Sequence, residues 1–255
     1  MDANNWELPL PPQGMVMPEK LQQIGLAVWG IIALAYLLYA LVHWYRTRSP
    51  LAILLFLGGA IAYLNEPIVD VLGLVWHPRL SQAVALDTFG PVPLWGWPCY
   101  MIFWGSMSYI LLRLAQNGIT RKAFWIAVLS FFALDFAMEA PMIPLGLYYY
   151  YGDPPFVLLG LPSYWLVINA TGPLLTVALL LRAPQFFQGW RLCLVPLLPM
   201  TTDAMASIGI GWPIFSALNT PGVSLGMKWM AGALTIALGL IILDGLSRLI
   251  CRDKE

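Results

Sequence analysis

The stretch LAILLFLGGAIAYLNEPIVDVLGLVW, residues 51–76, decides how the chain is read. About 20 apolar residues suffice for a helix to cross a bilayer, and this run exceeds that length. Its second half nevertheless carries Asn65, Glu66, Pro67 and Asp70. A carboxylate at membrane depth costs at least ~2.5 kcal/mol, so chance is a poor explanation for two. Glu66 and Asp70 are four residues apart and share one helix face. Pro67 lacks the N–H that would reach the Tyr63 carbonyl and clashes with the preceding turn, which predicts a freed carbonyl and a bend. The stretch reads as the wall of a polar chamber inside an apolar bundle.

Composition supports the same setting. Hydrophobic residues make up 60% of the chain and charged ones 10%, against roughly 25% charged in a soluble domain. This predicts an integral membrane protein. Basic and acidic residues balance at 13 each, which argues against nucleic acid or an acidic substrate as partner. Cys99, Cys193 and Cys251 are far apart and form no CxxC, so they are expected as buried packing residues. The two histidines, His43 and His77, are expected at opposite membrane faces. No His-based metal site follows from that arrangement, and neither a metal nor another cofactor is predicted. The N-terminus has no charged segment leading into an apolar core, so it is not read as a cleavable signal peptide.

Seven candidate spans follow one another at 24–45, 51–76, 93–115, 122–147, 162–182, 190–212 and 225–248. The fold expected is an all-α integral membrane protein, a seven-transmembrane helix bundle. Residues 1–22 form a proline-rich extramembrane segment, 23–250 the bundle and 251–255 a tail. No internal repeat is visible. Arg46, Arg48, Arg113, Arg121, Lys122, Arg182, Arg191, Arg248, Arg252 and Lys254 collect on one side, and Lys20, Arg79 and Lys228 on the other. That bias puts the N-terminus outside and the C-terminus in the cytoplasm of a bacterial or equivalent membrane. The longer outer loops, 77–92 and 148–161, are surface loops or caps over a cavity from that side.

With topology assumed, depth follows from the helical rise. Glu66 stands about 20 Å from the cytoplasmic end of its span, with Asp70 further out. Asp135 and Glu139 repeat the i, i+4 spacing at about 18 and 24 Å, and Asp203 lies at roughly 17 Å. Asn169 and Thr171 fall near the same height. Five carboxyls from three spans therefore converge in depth. Asp244 stands apart, four residues before Arg248, as an interfacial ion pair. Most tyrosines and tryptophans suit a headgroup-level aromatic belt, but Trp104 and Tyr100 lie deeper, where a ring could steady a cation. Each acidic site also adjoins a proline: Pro67, then Pro141 and Pro144, then Pro196 and Pro199. The coincidence points to irregular backbone lining a cavity.

Carboxyls in low dielectric resist ionising, and one charge disfavours a second beside it. A mixed cluster offers an acid and a base in one pocket, able to activate a ketone, alkene or epoxide and to remove a proton. The substrate would be a lipophilic small molecule arriving from membrane lipid. Phosphoryl transfer is disfavoured because no basic residues accompany the acids. A retinal protein would need a lysine deep in the last span, and Lys228 stands at its mouth. Two rivals remain: a proton-coupled transporter, and polar residues acting only as glue between helices.

The segments NEPIVDVLGLVWHP (65–78) and EAPMIPLGLYYYYGDPPFVLLGLPSYWLVINATGPL (139–174) resemble the bacterial spirocyclase family named after the avermectin pathway enzyme. The matching elements are an early acid–Pro pair, a later acid, a YYG turn and a small-Pro-x-x-W…N segment. The resemblance covers about a fifth of the chain. It implies an integral membrane enzyme that closes spiroketal rings on a polyketide, although many members have no assigned substrate. The chain also resembles, more loosely, the small seven-span terpene cyclases, which use acids on the second and sixth spans; Glu66 and Asp203 occupy those spans here. Both resemblances imply ring closure through a cation. Glu66 and Asp203 are then the expected general acid and its partner. Asp70, Asp135 and Glu139 would tune protonation or act as base. Asn65 and Asn169 would orient substrate, with Tyr100, Trp104 and Trp165 around it.

Overall fold

The computed structural model describes residues 8–251. Residues 1–7 and 252–255, with Arg252, Lys254 and most of the expected tail, lie outside the described residues. The chain is mostly helical, and a helical segment occupies each of the seven apolar stretches. Four segments, Glu19–Thr47, Leu51–Gly73, Tyr164–Arg182 and Leu225–Ile250, are long and apolar enough to cross a membrane.

Helix α1 (Glu19–Thr47) stops where Arg48 turns left-handed and returns its N–H to the Trp44 carbonyl. Helix α2 (Leu51–Ala62) tightens into a 3-10 turn at Tyr63–Asn65, and α3 (Glu66–Gly73) resumes with Pro67 in its first turn. The Tyr63 carbonyl is not left free. It accepts the Glu66 N–H, because the i→i+3 pattern of the tighter turn makes up for the missing proline donor. The helix ends at Gly73 rather than at 76. Leu74 adopts the left-handed conformation, and β1 (Val75–Trp76) goes on to pair with residues 149–150.

The third segment is α4 (Gly96–Tyr100), a π-helical turn (Met101–Ser106) and α5 (Met107–Gln116). Helix α6 (Arg121–Glu139) starts at Thr120, whose hydroxyl accepts the Ala123 N–H at 3.3 Å. It ends eight residues short of the expected 147. Pro141 and Pro144 have no N–H to continue it, and the chain closes into turns instead, with Gly146 N–H on the Ile143 carbonyl at 2.9 Å. Helix α7 is Tyr164–Arg182. A 3-10 turn, Gly189–Leu194, precedes α8 (Leu197–Leu218), so the regular helix begins later than the expected 190 and runs past 212. The prolines explain this offset. Pro196 sits at the N-cap and Pro199 in the first turn, where no intrahelical donor is required. Helix α9 is Leu225–Ile250.

Helix α7 is the central rod, packed against α5, α6, α8 and α9, while α1 lies outside α2 and α4. The outward side of α1 is apolar, with Ile31 and Leu34 exposed. Six short strands among the described residues are an addition to the all-helical expectation. They are β1, β2 (Val84–Asp87), β3 (Pro91–Pro93), β4 (Tyr149–Tyr150), β5 (Val157–Leu158) and β6 (Leu161–Pro162), paired 1–4, 2–3 and 5–6. At two to four residues each, they are too short to leave an alternating pattern. Gln22 ties the 77–92 loop to α1, donating to the Ser81 carbonyl at 2.6 Å and accepting from Ala83 N–H at 2.9 Å. Cys193 is exposed on the 3-10 turn, contrary to the expected burial.

Tyr63 anchors the base of this cap: its hydroxyl donates to the Pro93 carbonyl, and the residue is 1% exposed. Tyr63→Phe keeps the ring and strands the carbonyl. The expected loss is about 1–3 kcal/mol, read as a lower thermal midpoint of the purified chain; an unchanged midpoint would show that the bond contributes nothing.

Candidate active site

The interrupted helices bring Glu66 and Asp70 (α3), Asp135 and Glu139 (α6) and Asp203 (α8) around one cavity of about 110 Å³. At roughly 10–15 Å³ per water, it holds several waters or part of an organic chain. Among the described residues, no lysine or arginine lines it. Asp244, by contrast, lies outside, paired with Arg121 and, at 3.2 Å, with Arg248.

Three polar corners meet there. In the first, Asn169 on α7 donates to Asp135 Oδ2 at 3.1 Å and to Glu139 Oε1 at 3.0 Å. The Tyr148 hydroxyl donates to Glu139 Oε2 at 3.0 Å, with the Tyr150 hydroxyl at 3.4 Å. Glu139 thus gathers three donors, whereas Asp135 Oδ1 is buried without a hydrogen-bond partner among the described residues. Burial first, and then the Glu139 charge, pushes both tyrosine hydroxyls well above the usual phenol range, which keeps them as donors. In the second corner, Asp203 accepts Asn65 Nδ2 at 2.8 Å and the Ser207 hydroxyl at 3.1 Å. Asn65 also reaches the Met200 carbonyl at 2.8 Å, so it buttresses Asp203 and does not itself line the cavity. In the third, the Tyr100 hydroxyl donates to Glu66 Oε2, and His77 lies beside Asp70.

Aromatic rings form much of the remaining wall. Trp104 and Trp165, both about 95% buried, line the cavity with Tyr100. The indole N–H groups of Trp95 and Trp165 are buried and have no partner among the described residues. All ten residues singled out in the sequence as candidate site residues line the cavity, except Asn65, which acts through Asp203.

Several participants were not foreseen. His77 was expected at a membrane face, and Trp95 and Tyr148 in an aromatic belt. All three line the cavity, and the β1–β4 pairing brings the chain around His77 beside the chain around Tyr148. Tyr63, Tyr150 and Ser207 join them. The one available signal was the tyrosine run 148–151, which begins nine residues after Glu139 beyond the Pro141 and Pro144 turns. Comparison of the chain with known protein families, curated proteins and solved structures finds no match.

Proposed function

We propose that the chain is a seven-span integral membrane cyclase, N-terminus outside and C-terminus cytoplasmic, closing rings in a lipophilic terpenoid or polyketide through a cationic intermediate. The bilayer setting is supported by the four membrane-length apolar helices and by the bias of basic residues toward one end. The observation that carries the reaction is the gathering of five carboxyls from three helices in one cavity walled by aromatic rings, with no lysine or arginine among its described lining residues. Acid–base chemistry needs a proton donor and an acceptor within reach of one substrate, and a cation needs ring faces and negative charge around it.

Hydrogen bonding sorts the roles. Three donors on Glu139 suit a carboxylate acting as base. Asp135, whose Oδ1 has no donor among the described residues, suits the proton-bearing acid of the pair. Asp135 is preferred here to Glu66, the residue expected in that role, because one Asn169 amide bridges Asp135 to the Glu139 base. Asp203, with a donor on each oxygen, suits a fixed negative charge facing the developing cation. Trp104 and Trp165 would shield that cation, and the partnerless indole N–H groups of Trp95 and Trp165 are available to substrate oxygens. Proton donation to an alkene or epoxide followed by proton removal gives a product of unchanged mass. Spiroketal closure of a dihydroxyketone releases one water.

A proton-coupled transporter of a lipophilic molecule would draw on the same buried acids. Liposomes containing the purified chain separate the two. A cyclase converts a lipophilic precursor to a chromatographically distinct product without moving protons across the bilayer. Proton influx coupled to passage of the unchanged compound would replace the cyclase reading with the carrier.

A further inference from the structure

His77, with Glu66 and Asp70 beside it, is left unemployed by this acid–base scheme. Its imidazole is 5% exposed, and neither ring nitrogen has a hydrogen-bond partner among the described residues. Nε2 lies 3.4 Å from Asp70 Oδ2 and 3.9 Å from Glu66 Oε1, and one donor atom from each of the three residues falls within 4.8 Å of the others. Ligands placed tetrahedrally at ~2.1 Å from a zinc-sized ion stand about 3.4 Å apart. The Asp70–His77 pair already has that spacing, and Glu66 reaches it by a small rotation.

We propose that Glu66, Asp70 and His77 bind a divalent first-row transition-metal cation at the loop end of the cavity. Glu66 and Asp70, at 19% and 12% side-chain exposure, have no lysine or arginine beside them among the described lining residues, and one such ion would neutralise both. The donor set narrows its identity. Imidazole with carboxylates suits Zn²⁺, Mn²⁺ or Fe²⁺, whereas Ca²⁺ and Mg²⁺ favour oxygen-only shells and Cu⁺ favours sulfur. Surrounding contacts orient the ligands as such sites require. Tyr100 holds Glu66 by Oε2 and leaves Oε1 toward His77, while the β1–β4 pair fixes the strand just before His77. The remaining coordination positions face the cavity, where water or a substrate oxygen would bind.

This site stands apart from the cyclase reading, since an ion would occupy it whatever the protein turns over. The test is elemental analysis of the full chain in detergent, stripped with chelator and then equilibrated with ZnCl2 or MnCl2. Wild type and Asp203→Asn are expected to hold about one ion per chain. His77→Phe, which preserves ring volume without a donor, and Asp70→Asn should lose at least the ~10-fold in affinity that even an outer contact is worth. Thermal unfolding of each variant in chelator checks that it folds. A wild type that takes up neither ion, or folded His77→Phe and Asp70→Asn chains that bind like wild type, would overturn the proposal.

Discussion

Glu139→Gln is expected to lower turnover by about 10²–10⁴-fold, the range that a positioned general acid or base contributes, in a chain that still folds. The amide keeps the volume, and its carbonyl oxygen still accepts from Asn169 or the tyrosines, so the three-donor cradle retains most of its bonds. What is lost is the capacity to take a proton. Asp135→Asn should fall within the same range, and the double variant should lose little more than either alone, because residues acting as a unit are not additive. Full activity in Glu139→Gln with unchanged product would remove the Asp135–Glu139 pair from the reaction.

Gly59→Leu should have the largest effect on the fold itself. The α2 backbone and the π-helical turn touch directly at two glycines. A Cβ on Gly59 would stand 2.6 Å from the Tyr100 carbonyl oxygen and 2.7 Å from Met101 Cα, and one on Gly105 would meet the Leu55 carbonyl oxygen at 2.5 Å. These neighbours are main chain and cannot rotate aside. A leucine must push the two segments apart, at a cost of about 3 kcal/mol or more, and it carries Tyr100 away from Glu66. The measurement is the thermal midpoint and folded yield of purified Gly59→Leu beside Gly30→Leu, a control in α1 where a Cβ meets nothing within 4 Å. Equal behaviour of the two would mean that the close approach is not needed.

The long apolar helices were legible because about twenty apolar residues with few charges admit few other readings. The convergence of the five acids on one cavity was suggested in the same way, since a rise per residue places residues of different helices at comparable heights. Azimuth was not: whether Asp203 and Glu139 turn toward one hollow depends on packing around α7, which no periodicity in one helix reports. Helix ends shifted wherever prolines gathered. Pro141 and Pro144 end α6 at Glu139 and free the following residues to form turns, and this brings Tyr148 back onto the Glu139 carboxylate. Long-range pairing hid the rest. His77 enters the site only because Val75–Trp76 finds Tyr149–Tyr150 across some seventy residues of chain, and two-residue strands leave no local trace.

The central claim, that this cavity closes rings, is tested most directly by comparing organic extracts of producing cells that carry the wild-type chain, Glu139→Gln or no chain. Chromatography with mass detection should find a lipophilic product in the wild type alone, with its uncyclised precursor accumulating in the other two. The same compounds in all three extracts would contradict it.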